Sequence, residues 1–147
     1  MATPHKPVRV LIADDHALFA EALTVALMGD GELAVVGVAR DGVETVELTE
    51  RLRPDVVLMD VHMPLLDGVE ATTRIRERLP DTRVVMLTSD DSHLTRIAAL
   101  RAGASSFLTK TCGAAELLTA VRNAAADAVR TVPAKTLLPF TQALGAA

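Results

Sequence analysis

The chain has 147 residues, half of them apolar, with three Phe and no Trp or Tyr. That is enough apolar material for one self-sufficient core and too much for a disordered chain, while so few aromatics exclude a nucleic-acid surface built on base stacking. A formal net charge of −4 and no Lys/Arg-rich run leave nothing to neutralise a phosphate backbone, so no direct nucleic-acid contact is expected.

The single Cys112 rules out an internal disulfide and fits a reducing compartment. No apolar run approaches the ~20 residues that span a bilayer, and the opening MATPHKPVRV has no signal-peptide core. The expectation is a cytoplasmic domain without membrane attachment.

In chain order, VRVLIA (Val8 to Ala13) reads as a short strand, nearly all apolar. After Asp14 and Asp15, a helix is predicted from Leu18, Ala22, Val25 and Ala26 at near 3.6-residue spacing, ended by Gly29 and Gly31. LAVVGVA supplies a second strand, and a helix from about Val43 to Leu52 stops at Arg53-Pro54. DVVLMD (Asp55 to Asp60) is the third strand. Pro64 and Gly68 mark a loop, and Val69 to Leu79 is a helix closed by Pro80. RVVMLT (Arg83 to Thr88) is the fourth strand, followed by a helix over His93 to Arg101 that Gly103 closes. SSFLTK (Ser105 to Lys110) is the fifth strand, and Ala114 to about Ala128 the last helix.

Five β-α units with almost unbroken apolar strands imply an α/β fold: a doubly wound five-stranded parallel sheet with helices on both faces and right-handed crossovers. Residues 1–128 form the domain. The stretch 129–147, with Pro133 and Pro139 and weak periodicity, is expected to be a linker or short extension, too short for a DNA-binding domain.

The polar residues gather where such a sheet binds ligands, outside the carboxyl ends of its strands. Asp14 and Asp15 follow the first strand, Asp60 ends the third, Thr88 the fourth and Lys110 the fifth. Converging carboxylates repel and raise one another's pKa values unless a cation intervenes. Mg2+, a hard ion that binds through one or two carboxylates plus phosphate and water, suits that set. A carboxylate beside it can act as a nucleophile and form an acyl phosphate, with the Lys110 ammonium and Thr88 hydroxyl stabilising the phosphoryl oxygens.

Bland readings of the same residues compete. Asp14 and Asp15 can simply cap a helix, and Thr88 can be an ordinary β-branched strand residue. His16 and His62 beside acidic residues read as solvated or hydrogen-bonded side chains rather than metal ligands, Cys112 as a bystander, and Gly42, Gly68 and Gly103 as turn or helix-boundary residues.

The acidic pair, DVHMPLLDG from Asp60 to Gly68, Thr88-Ser89 and Lys110 together resemble the response-regulator receiver family over about residues 8 to 128. DDHALFAEAL is similar to the opening of the NarL/FixJ subfamily, whose receivers precede LuxR-type DNA-binding domains. The resemblance implies strand order 2-1-3-4-5 and residue roles. Asp60 would accept the phosphoryl group. Asp15, Asp60 and the backbone carbonyl of His62 would bind Mg2+, with Asp14 helping directly or through water. Thr88 and Lys110 would contact the phosphoryl group, and Phe107 would be the aromatic that switches with Thr88. His62 and Asp90 stand at positions that tune hydrolysis in that family. The chain departs from the pattern at Thr111, where the family usually has Pro after the Lys.

The function so implied is a phospho-accepting switch. A sensor histidine kinase would be the donor, the last helices a homodimer surface, and transcription the output, through an effector domain outside this chain. The alternative is a phosphate-independent pseudo-receiver acting as a protein-interaction module. An aspartyl phosphatase would want a second acid where His62 stands.

Overall fold

The computed structural model describes residues 6–89 and 92–130. Five strands alternate with five helices: β1 (Val8–Ala13), α1 (Ala17–Met28), β2 (Leu33–Ala39), α2 (Gly42–Leu52), β3 (Val56–Asp60), α3 (Gly68–Arg78), β4 (Arg83–Thr88), α4 (His93–Ala102), β5 (Ser106–Thr109) and α5 (Ala114–Arg130). The strands form one parallel sheet in the order β2-β1-β3-β4-β5, as the resemblance implied.

The strands are apolar on both sides because both sides are covered. Successive side chains point to opposite faces. Leu11, Ala13, Val57, Met59, Val84 and Met86 therefore join a core with Val46 of α2, Ala71 and Ile75 of α3 and Ala99 of α4. Their neighbours Val10, Ile12, Val56, Leu58, Val85 and Leu87 join a second core with Leu23 and Leu27 of α1 and Leu117 and Val121 of α5. Fully burying each Val, Leu, Ile or Met side chain among them contributes about 1.5–3 kcal/mol.

Helix starts are fixed by side chains that accept orphan backbone N–H groups. Asp41 accepts from Glu44 N at 2.7 Å, Asp67 from Glu70 N at 2.8 Å and Ser92 from Thr95 N at 3.1 Å, contacts typically worth ~1 kcal/mol each. These caps place Gly42 and Gly68 inside the first turns, one residue earlier than the apolar pattern predicts. At the end of α2, Arg53 takes the left-handed conformation (φ 47°) before Pro54. β5 is shorter than expected, and α5 runs on to Arg130, past the predicted boundary at 128. The rest of the predicted extension, and Asp90, lie outside the described residues.

The chain reverses its winding direction between β1 and β3, which lie side by side with β2 beyond β1 and β4 beyond β3. The carboxyl ends of those two strands bound the crevice that such a reversal opens. Asp14 and Asp60 are there.

Candidate functional site

Asp14 leaves β1 with its N–H donating to the Ala39 carbonyl at 3.0 Å, which locks it to β2. Its Oδ1 accepts from His16 N at 2.8 Å. His16 is the N-cap of α1 but makes no side-chain cap bond, so neither Asp14 nor Asp15 is held there as a helix cap. Asp60 is the last residue of β3, paired with Leu87 of β4 and one residue beyond the Ala13–Met59 pair with β1, and only 4% of its surface is exposed. Asp14 is 2% exposed. Two carboxylates this deeply buried require a cationic partner.

Lys110 supplies one. Its backbone N–H donates to the Thr88 carbonyl at 2.8 Å, and its ammonium reaches back over the strand ends to Asp14 Oδ2 at 2.9 Å and Asp60 Oδ2 at 3.3 Å. One cation does not balance two anions. Burial, with the Asp14 charge added to it, pushes the Asp60 carboxyl above its ordinary value, against the opposing pull of Lys110 and the His62 N–H. Burial also works against the Lys110 ammonium, but its contacts with Asp14 and Asp60 outweigh that and hold its pKa above the usual lysine value. Asp60 Oδ2 is the telling atom: it is buried and, beyond the ion pair, has no hydrogen-bond donor.

Asp15 lies at the rim, and its Oδ1 is 3.2 Å from His16 Nδ1, as is Asp14 Oδ1. Potential ligand atoms of Asp14, Asp15, His16 and Asp60 all fall within 4.8 Å of one another. Three carboxylates and an unsatisfied buried oxygen fit a hard divalent cation. His62 follows in the β3–α3 loop, its N–H directed at Asp60 Oδ1 at 3.4 Å and its side chain exposed. Thr88, fully buried, ends β4 one residue beyond Leu87, the β4 partner of Asp60. Phe107, the β5 partner of Met86, sits in the α2–α3–α4 core, on the same face of the sheet as Thr88. Cys112 is half-buried, and burial and the nearby Glu116 raise its thiol pKa.

Three contributors were not anticipated from the sequence. The Phe19 ring of α1 lies under the Lys110 ammonium, 4.6 Å from nitrogen to centroid. The Arg96 guanidinium stands 5.2 Å over the Phe107 ring. Gly68 packs against the Asp60 carbonyl so closely that a Cβ there would lie 2.1 Å from its oxygen. Phe19 follows Asp15 by four residues, but nothing in the sequence says which way its ring points. Gly68 was legible only as a loop marker.

The sequence matches the response regulator receiver domain family over residues 10–122. Over 108 residues it is 47% identical to a protein-glutamate methylesterase/protein-glutamine glutaminase of Myxococcus xanthus, covering 73% of this chain and 31% of that protein. It is 41% identical to the transcriptional regulatory protein DegU of Brevibacillus brevis, covering 78% of this chain and 49% of DegU. The chain thus spans half or less of either relative. The structure is similar to the signal receiver domain of the putative response regulator NarL from Mycobacterium tuberculosis, with a TM-score of 0.79, 39% identity, and 82% of this chain and 97% of that one covered.

Proposed function

This chain belongs to the response-regulator receiver family of two-component systems, and on that footing we propose that it is a phospho-accepting switch whose acceptor is Asp60. The observation that carries the reading is the buried Asp60 carboxylate at the carboxyl end of β3, gathered with Asp14, Asp15 and His16 and ion-paired through Oδ2 to Lys110.

Asp14, Asp15 and Asp60, with the backbone carbonyl of His62, would hold Mg2+. Bound there, the ion would offset the carboxylate charge and that of an incoming phosphoryl group. This chain's own residues do the rest. An Asp60 carboxylate oxygen forms a bond to phosphorus as the donor's phosphorus–nitrogen bond breaks, and the donor histidine of a sensor kinase leaves as neutral imidazole, taking up a proton. A small acyl phosphate would serve in the same way, releasing its carboxylate. The Lys110 ammonium offsets charge on the phosphoryl oxygens, and the Thr88 hydroxyl donates a hydrogen bond to one of them. Moving Thr88 toward the phosphate leaves room behind it that Phe107 takes up. The switch is a shift between two pre-existing conformations.

We take residues 1–128 as the signalling module, with α5 running on to Arg130. Transcription is the output we favour, with phosphorylation promoting a homodimer through the last helices; such a dimer would place two DNA-binding domains on paired half-sites. The Myxococcus relative is named as a methylesterase, so the receiver sequence alone does not dictate the effector. The chain itself makes no nucleic-acid or membrane contact in this account, and we place it in the cytoplasm. Among the described residues no helix is long and apolar enough to cross a membrane.

Intact mass after incubation with acetyl phosphate tests the reading. One phosphoryl adduct that requires Mg2+ and disappears in Asp60→Asn is expected. No adduct, with acetyl phosphate or a kinase donor, would turn the assignment to a phosphate-independent interaction module.

A further inference from the structure

We infer that Phe19 is a positioning residue for Lys110, holding its ammonium beside Asp60 through the face of the aromatic ring. The inference rests on the proposed phospho-accepting chemistry and deepens it.

Lys110 Nζ has three partners: Asp14 Oδ2 at 2.9 Å, Asp60 Oδ2 at 3.3 Å and the Phe19 ring at 4.6 Å from its centroid. The last distance lies well inside the ~6 Å at which a ring face attracts a cation. The ring and the lysine line the same small apolar cleft between α1 and α5, with Leu23, Leu87 and Leu117. In that setting the ammonium has given up much of its water, which strengthens the contact.

The three partners are not equivalent. Asp14 and Asp60 are the carboxylates that would turn to a divalent cation, and each would then offer less negative charge to Lys110. A phenyl ring cannot ligate a hard cation and does not titrate. Its attraction for the ammonium does not depend on whether the carboxylates are bound to a cation. A lysine relying on Asp14 and Asp60 alone would be freed to swing into solvent when its charge is needed at the phosphoryl oxygens. Phe19, anchored on α1 against the second core, keeps it at the strand ends.

A purely structural role, pinning α1 to α5 by apolar packing, makes a different prediction, and two variants separate the roles. Phe19→Leu keeps apolar bulk without a π face; Phe19→Tyr keeps the face. The rate of Asp60 phosphorylation by acetyl phosphate at saturating Mg2+ should fall about three- to tenfold in Phe19→Leu and hold in Phe19→Tyr, with Mg2+ affinity unchanged in both. The Lys110 ε-methylene protons should resonate upfield in wild type and Phe19→Tyr, under the ring current, and return to the ordinary lysine position in Phe19→Leu. Should Phe19→Leu not fold, Phe19→Met carries the same test. An unchanged rate in the non-aromatic variant, or an equal fall in Phe19→Tyr, would overturn the inference and leave packing as the ring's only role. A wild type that takes no phosphoryl group would sink the proposed function instead. The lysine resonance then decides the inference on its own: an unshifted signal overturns it.

Discussion

Gly68→Ala should be among the most damaging one-methyl changes available to this fold, and the reason is geometric. A Cβ at Gly68 would lie 2.1 Å from the Asp60 carbonyl oxygen and 3.0 Å from the carbonyl carbon. Since real contacts of this kind do not fall below about 3 Å, the first turn of α3 must retreat from the end of β3 by close to 1 Å. That retreat strains the 2.7 Å bond from Gly68 N to the Val61 carbonyl, worth about 1 kcal/mol, and adds about 1–3 kcal/mol of overpacking strain. The better helix propensity of Ala returns at most about 1 kcal/mol. The net expectation is a loss of about 1–3 kcal/mol, against a total of roughly 5–15 for a domain. Gly37→Ala, whose Cβ would meet only the flexible methyls of Leu52 and Leu11 at 3.2 and 3.3 Å, should cost about 1 kcal/mol or less. Gly31→Ala, with nothing within 4 Å, should fall within about 0.5 kcal/mol of wild type. Urea unfolding followed by circular dichroism gives the order, since the chain has no Trp or Tyr for fluorescence. A Gly68→Ala protein as stable as Gly31→Ala would refute the close packing of α3 on Asp60.

Millimolar Mg2+ should stabilise the fold by relieving the acidic cluster, by about 1.4 kcal/mol for each tenfold excess over its dissociation constant, and so raise the melting temperature, and Asp15→Ala should abolish the rise; an unchanged melting curve in wild type would count against the metal site. Asp60→Asn should stabilise the metal-free fold near neutral pH, because burial and the Asp14 charge outweigh Lys110 and penalise the ionised carboxyl. Because the folded-state pKa of Asp60 is raised, its ionised form burdens the fold above that pKa, and the burden lifts as pH falls through it. The gap between Asn variant and wild type should therefore be widest at neutral pH and close in acid; a gap that widens in acid would reverse the sign we assign. The Cys112 thiol, its pKa raised by burial and Glu116, should react with iodoacetamide more slowly than a free peptide cysteine at mildly alkaline pH, and equal rates would show that it is not shielded.

How much of this was readable from residues alone follows from what each feature depends on. The strands were legible because coverage on both faces makes them continuous apolar runs, and β1, β2 and β4 fall where those runs lie. Asp60, the acidic pair, Thr88 and Lys110 stood out as a candidate site because each ends or follows such a run, and the structure gathers Asp14, Asp60 and Lys110 at the strand ends. Helix starts at Gly42 and Gly68 were missed by one residue because glycine was weighed as a breaker, whereas Asp41 and Asp67 cap those helices from outside. The shift in register between Val10 and Leu11 falls at Gly37 in β2, and a glycine inside a strand, the one mark of such a bulge, does not by itself say that the register shifts there. The Phe19–Lys110 and Arg96–Phe107 contacts leave no mark in the sequence, since they depend on how α1 and α4 lie across the sheet and on side-chain rotamers.

The most direct test of the account is to trap the acyl phosphate with borohydride after phosphorylation in Mg2+ and to map the product by peptide mass spectrometry. Reduction converts a phosphorylated aspartate to homoserine. The account predicts homoserine at position 60 and no other, formed only when both Mg2+ and a phosphodonor are present. Homoserine at Asp14 or Asp15 instead, or no reduced residue in a protein that has taken up phosphate, would contradict it.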